Sequence, residues 1–229
     1  NATMTGGGNT ALGNNALAYN TTGNYNTASG YLSLRFNTTG IFNSSFGYHV
    51  LYSNTTGGYN TASGYKSLHS NTTGNFNTAS GVFSLRNNTT GYSNTALGGY
   101  SLSSNTTGFS NSAFGSSALT NNTTGIFNSA FGNLALENNT TGNYNNASGY
   151  LSLRFNAAGN YNTSSGYRAG YNSNGDRNIF IGYQAGDSVE TGSDNIIIGS
   201  DADVPSPATS NHLNIGSTIF GDLLTGNIG

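Results

Sequence analysis

The chain has 229 residues, of which only 6% are charged, and its formal net charge is −2 at pH 7. This charge balance excludes the basic footprint of a nucleic-acid-binding protein, and no apolar run approaches the roughly 18 residues of a membrane-spanning helix. The absence of cysteine excludes a disulfide framework and a thiolate metal site.

A 17-residue repeat runs through most of the chain. The tetrapeptide Asn-Thr-Thr-Gly occurs eight times, and successive copies keep the same 17-residue spacing. The repeats contain two glycines each and no 3.6-residue periodicity, which favours short strands separated by turns over helices. We therefore predict an all-β fold, a β-solenoid or β-roll of about thirteen 17-residue coils spaced ~4.8 Å apart.

The regularity of the repeat and the charge divide the chain into two regions. Residues 1–172 are predicted to form regular solenoid repeats, and residues 173–229 a divergent, acidic capping or transition module. Residues 176–229 hold seven acids and one cation, whereas residues 1–175 hold one acid and five cations. Isoleucine runs before Gly182 and Gly199 predict buried strands in the second region. A solenoid needs such a distinct module at its end.

Equivalent positions of successive repeats stack into columns in a solenoid. A uniform leucine column predicts a buried position, and aromatic columns are too bulky for the inside of a thin coil. We interpret both as the core or as a seam buried against partner chains. The residues assigned to this core or oligomer seam are Leu34, Leu51, Leu68, Leu85, Leu102, Leu119, Leu136, Leu153, Phe46, Phe114 and Phe131.

A second recurring position is the asparagine of the pattern Asn-x-x-x-Gly. It predicts a ladder in which each side-chain amide bonds the copies above and below, and the alternative is a turn residue with left-handed backbone. The ladder residues are Asn26, Asn43, Asn60, Asn77, Asn94, Asn111, Asn128, Asn145 and Asn162.

The Asn-Thr-Thr copies also match the acceptor pattern for N-glycosylation. The alternative is a turn in which threonine side chains cap the backbone, and we favour it because acceptors ~4.8 Å apart are too close for every coil to carry a glycan. The possible acceptors are Asn20, Asn37, Asn54, Asn71, Asn88, Asn105, Asn122 and Asn139.

No sequence pattern for catalysis or cofactor binding is found. Nucleotide-binding loops, nucleophile elbows, zinc-protease motifs and EF-hands are absent, and Glu137 is the only acid of the regular repeats. Asp201 and Asp203 could share a hard cation such as Ca²⁺, but a solvated acidic loop is favoured. We therefore predict no enzyme activity, no cofactor and no metal.

The segment Gly23–Leu34 resembles the head repeats of trimeric autotransporter adhesins, and the Asn-Thr-Thr-Gly arrays are similar to those of phage tail-fibre-like and bacterial surface-fibre proteins. The stretch Asn211–Gly229 resembles the region that precedes an endosialidase-type intramolecular chaperone domain. The resemblance implies a homotrimer, intertwined or side by side, and an extracellular location on a cell surface or virion tail fibre.

We therefore predict a structural and adhesive fibre segment, the shaft or head of a trimeric fibre, that mediates attachment to a surface receptor or glycan. Its partner is itself, as a homotrimer or an extended filament, with no nucleic acid and no membrane insertion. One alternative is a monomeric ice-binding solenoid that uses the stacked Thr21 and Thr22 positions. Another is a glycosylated surface-filament or surface-layer subunit.

Overall fold

The computed structural model describes residues 5–228, except for the side chain of Ile228. It confirms the all-β prediction, since about twelve turns of about 17 residues form a β-solenoid and no helix occurs among these residues. The sequence predicts about thirteen coils, and the thirteen strands between residues 10 and 215 bound about twelve complete turns. Contacts group the chain into two compact units, residues 1–116 and 117–229.

The first unit contains seven three-residue strands, one in each coil. They are β1 (Thr10–Leu12), β2 (Thr27–Ser29), β3 (Ser44–Phe46), β4 (Thr61–Ser63), β5 (Thr78–Ser80), β6 (Thr95–Leu97) and β7 (Ser112–Phe114). Each strand pairs in parallel with the next, and the register equals one 17-residue repeat. Equivalent residues of successive coils therefore lie directly opposite each other.

The second unit continues the same pattern and then changes it. Its strands are β8 (Ser129–Phe131), β9 (Asn146–Ser148), β10 (Thr163–Ser165), β11 (Ile179–Ile181), β12 (Ile196–Ile198), β13 (His212–Ile215), β14 (Ile219–Asp222) and β15 (Asn227–Ile228). Strands β8 to β13 pair in parallel, and β13, β14 and β15 pair antiparallel. The parallel register continues from β10 to β11 through a 16-residue step, across the boundary that the sequence predicts at residue 172.

Strands β2 to β10 each place an alanine or serine side chain inside the coil. From β2 to β12 the middle residue is buried, while its two neighbours point outward and are partly or fully exposed. The middle residue is Ala28 in β2 and Ser45 in β3, and neither exposes any surface. This follows from the two-residue alternation of a strand, and it leaves the flanking side chains on the outer face.

Leucine fills most of the remaining interior, and it does so with an unusual backbone. Leu17 and its eight counterparts up to Leu153 are at most 1% exposed, and their φ angles lie near +50°. The left-handed conformation costs roughly 1–2 kcal/mol in a residue with a Cβ. Burying a leucine side chain contributes about 1.5–3 kcal/mol, which offsets that cost. The left-handed backbone thus points this leucine side chain into the coil.

Close contact between coils explains one column of glycines. Gly81 has a φ of +137°, and a Cβ added there would lie 2.6 Å from the carbonyl oxygen of Gly98 in the next coil. Neither the angle nor the space allows a side chain. The same arrangement recurs in neighbouring coils, so the column keeps successive turns at the spacing of hydrogen-bonded strands.

Around one coil of the second unit, the large and the small residues of the core change places. Gly170 and Gly186 occupy the position that is leucine in the preceding coils, and Phe180 occupies the position that is alanine or serine in strands β2 to β10. Phe180 is fully buried, and a Cβ on either glycine would collide with its ring. The interior volume is therefore filled from the strand side in this coil rather than from the turn side.

Candidate functional site

The asparagines of the Asn-x-x-x-Gly pattern line the inside of each coil. All nine are at most 1% exposed. Asn60 is representative: its Nδ2 donates to Asn43 Oδ1 at 3.0 Å and to the Gly74 carbonyl at 2.9 Å. Its Oδ1 accepts from the backbone N–H of Asn77 at 3.0 Å. The side chains thus link each coil to the next, and they are not available to a ligand.

The asparagines of the Asn-Thr-Thr copies form a second internal ladder. All eight are at most 1% exposed. Asn54 Nδ2 donates to Asn37 Oδ1 at 2.7 Å and to the Gly57 carbonyl at 2.9 Å. In the folded coil the nitrogen that would carry a glycan is buried and donates two hydrogen bonds, which favours the turn alternative over glycan acceptors. The residues of this second ladder are Asn20, Asn37, Asn54, Asn71, Asn88, Asn105, Asn122 and Asn139.

The leucines and phenylalanines assigned to the core or oligomer seam lie in two different environments. Leu34 and its seven counterparts are fully buried within a single chain, so a partner is not required to cover them. Phe46 and Phe131 are each 45% exposed, and Phe114 is half-buried, because all three end a strand and point outward. The two groups lie on opposite sides of the coil wall.

The paired threonines differ in their environment. Thr21 is half-buried, and its hydroxyl donates to the Thr38 carbonyl at 2.9 Å. Thr22 is exposed. This pair therefore exposes one threonine, whereas the ice-binding alternative uses both stacked threonine positions.

Exposed aromatic rings form stacks on the outer surface of the first unit. Tyr25, Phe42, Tyr59 and Phe76 are 45–60% exposed. Their ring centroids are 5.0–5.1 Å apart and their planes differ by 12–21°. Because each ring face covers the next, the stack presents ring edges to solvent. It is an apolar stripe rather than a set of open platforms on which a sugar ring could stack. We refer to these four residues as the aromatic stripe.

A second cluster on the first unit combines cations with aromatic and imidazole rings. Arg35 Nη1 lies 3.4 Å from the Tyr52 hydroxyl, and Tyr52 stacks on His69 at 5.2 Å. The His49 and His69 rings are 6.0 Å apart and nearly parallel. We refer to Arg35, His49, Lys66, His69 and Arg86 as the cationic patch.

The electrostatics of the cationic patch favour neutral histidines. Burial lowers the pKa of His69 to about 4, with smaller contributions from His49, Lys66 and Arg86. Burial also lowers the pKa of His49, helped by the charges of Lys66 and Arg35. Lys66 thus lowers the pKa of both histidines, whereas Arg86 acts on His69 and Arg35 acts on His49. At neutral pH the charge of the patch comes from its lysine and arginines.

The second unit pairs its cations with carboxylates. Arg154 contacts Glu137 at 2.6 Å and Arg168 contacts Asp187 at 3.6 Å. Arg177 contacts Asp194 at 2.6 Å, and its side chain holds the pKa of that carboxyl below the usual range.

Asp201 and Asp203 do not converge on a shared cation. Asp201 is exposed, whereas the two carboxylate oxygens of Asp203 accept hydrogen bonds from the backbone N–H groups of Ser188 and Val204. Across residues 5–228, no three or more His, Asp or Glu side chains come together as a metal site.

No pocket opens among residues 5–228. This part of the chain contains no helix with the length and apolarity needed to cross a bilayer. Comparison of the chain with protein-family models, curated proteins and solved structures finds no match. The candidate functional surfaces of the first unit are the aromatic stripe and the cationic patch. Phe127, Tyr144 and Tyr161 form a similar exposed stack on the second unit, with ring centroids 5.0 Å apart.

Proposed function

We propose that the chain is a structural and adhesive segment of an extracellular fibre, and that it assembles as a homotrimer. The aromatic stripe carries this proposal. Its four rings remain 45–60% exposed although the interior of the coil is already filled by leucine, alanine, serine and asparagine. A contiguous apolar stripe on a soluble protein is typical of an interface.

The interior supports a structural role over catalysis. Its polar groups are asparagine amides and serine hydroxyls, and the asparagine amides bond to the neighbouring coils. Neither ladder provides an acid–base pair or a nucleophile beside a base, which hydrolysis would require. The resemblance of the repeat to surface-fibre and adhesin repeats favours the same function.

Native mass spectrometry of the purified chain tests the trimer. A complex of three 23.6 kDa chains is expected. A monomer would refute the proposal and favour the ice-binding alternative, for which thermal hysteresis is the direct measurement. A series of larger assemblies would also refute a closed trimer and would indicate a filament.

A pair of variants then tests whether the aromatic stripe forms the contact. Tyr59→Asn with Phe76→Asn removes two rings, and asparagine tolerates their positive φ angles of 58°. We expect this variant to dissociate into monomers while keeping its far-ultraviolet circular dichroism. The matched control, Thr56→Asn with Thr73→Asn, changes exposed residues of the same coils and is expected to stay trimeric. Equal behaviour of the two variants would exclude the stripe as the contact.

A further inference from the structure

The cations of the two units differ in whether they contact a carboxylate. In the second unit Arg154, Arg168 and Arg177 each contact a carboxylate from a neighbouring coil. In the first unit Arg35, Lys66 and Arg86 have no such partner, because residues 1–116 contain no aspartate or glutamate at all. All eight acids of the chain lie in residues 117–229. The first unit therefore carries three positive charges that its own residues do not neutralise.

These three cations are held in place by rings rather than by counter-charges. The Arg35 guanidinium lies 5.1 Å from the Phe36 ring centroid, and the Arg86 guanidinium lies 4.8 Å from that of Phe83. The Lys66 ammonium lies 5.5 Å from the ring of Tyr65. Cation–π contacts of this kind orient a cation without cancelling its charge. The cationic patch is thus preorganised for an anion from outside the unit.

We propose that the cationic patch of the first unit binds an acidic polysaccharide, through the carboxylate or sulfate groups of the sugar chain. This inference rests on the proposed attachment function and specifies its ligand class. Guanidinium groups bind such planar or tetrahedral anions through paired hydrogen bonds. The hydroxyl of Tyr52, which lies beside Arg35 of the patch, offers an additional partner for sugar hydroxyls.

The spacing of the cations favours a polysaccharide over a nucleic acid. Arg35 and Arg86 occupy the same repeat position three coils apart, and Lys66 lies in a coil between them. With coils ~4.8 Å apart, the charges are spread over roughly 15 Å. Duplex DNA carries about one charge per 1.7 Å, so three cations would neutralise only a small part of it. A glycan that carries one acidic group every one or two sugars matches this lower charge density more closely.

Binding to defined oligosaccharides tests the proposal. The probes are a heparin oligosaccharide, an alginate oligosaccharide of similar length, neutral maltodextrin and a short DNA duplex, and isothermal titration or biolayer interferometry measures affinity. We expect binding to at least one acidic glycan that weakens as salt rises, and no binding to maltodextrin. Loss of each cation is expected to weaken binding by about threefold, and loss of all three by about thirtyfold.

A pair of matched variants distinguishes binding by the cationic patch from a general effect of the protein's positive charges. The test variant replaces Arg35, Lys66 and Arg86 with glutamine. The control replaces Arg154, Arg168 and Arg177 with glutamine, which removes the same number of charges from residues that already contact carboxylates. The proposal requires that only the test variant loses glycan binding. It is overturned if neither acidic glycan binds, if both variants bind alike, or if DNA binds more tightly. It is also overturned if the test variant loses its oligomeric state, since the patch would then be a contact between copies. A trimer that binds no glycan would leave the proposed fibre intact.

Discussion

Replacing Asn88 with alanine is expected to destabilise the first unit strongly, although the residue lies in an Asn-Thr-Thr copy that reads as a surface motif. Asn88 Nδ2 donates to Asn71 Oδ1 at 2.8 Å and to the Gly91 carbonyl at 2.9 Å. Its Oδ1 accepts from Asn105 Nδ2 at 2.7 Å. Alanine removes all three hydrogen bonds from a residue that is fully buried.

The magnitude follows from what each former partner retains. The Asn71 side-chain oxygen loses its donor in a buried site, which costs about 2 kcal/mol. The Gly91 carbonyl keeps a bond from Asn77, and the Asn105 amide keeps its bond to Gly108, so each of these losses costs only about 1 kcal/mol. We therefore expect a loss of about 4 kcal/mol in the free energy of unfolding.

Thermal unfolding followed by circular dichroism measures this effect. For a chain of this length, a loss of this size lowers the melting temperature by roughly 10 °C. Hydrogen exchange shows where protection is lost, because a solenoid can open over a few coils rather than as a whole. The control is Asn87→Ala, the adjacent but exposed asparagine, which is expected to change stability by less than about 0.5 kcal/mol. Equal melting temperatures of the two variants would refute the reasoning.

Two further perturbations address the turn geometry and the histidines. Gly81→Ala is expected to cost about 3 kcal/mol or more, since its positive φ and the Gly98 carbonyl at 2.6 Å both oppose a Cβ; an unchanged melting temperature would contradict this. The folded protein lowers the pKa of His69 from 6.5 to about 4, so protonation favours the unfolded chain. The stability that neutral His69 contributes is therefore complete above pH 6.5 and is lost as the pH falls toward 4. The variant His69→Gln is expected to have a melting temperature that changes less with pH across this window than that of the wild type. Parallel pH profiles of the two proteins would show that His69 does not contribute.

The 17-residue period of the sequence was enough to predict the solenoid, because the strands, the turns and the strand register all recur with the same period. A 17-residue step carries a strand, two glycines and an inward leucine, and the parallel register of the strands keeps the same 17-residue step. The hydrogen bonds of Asn60 are of the kind that the predicted ladder requires. These features depend on sequence spacing alone, which is why they could be read from the chain.

The directions of individual side chains could not be read in the same way. Asn-x-Thr is a local pattern, and it contains no information about whether its amide points into a coil. The leucines were assigned to a core or seam because a coil as short as one repeat encloses little space. The left-handed backbone near +49° at Leu34 solves that problem by turning the side chain inward. Phe46 points outward because Ser45, the middle residue of a three-residue strand, takes the inner position.

The exchange of core volume around Phe180 has a consequence for how the chain finds its fold. Near-identical coils invite register slippage, in which one strand docks a whole repeat too early or too late and still buries similar side chains. Phe180 reduces this degeneracy, because its ring occupies space that is open only where Gly170 and Gly186 lack a side chain. If it were shifted by one coil, the ring would meet the fully buried Leu153. This single coil therefore distinguishes the native strand register of the second unit from registers shifted by one repeat.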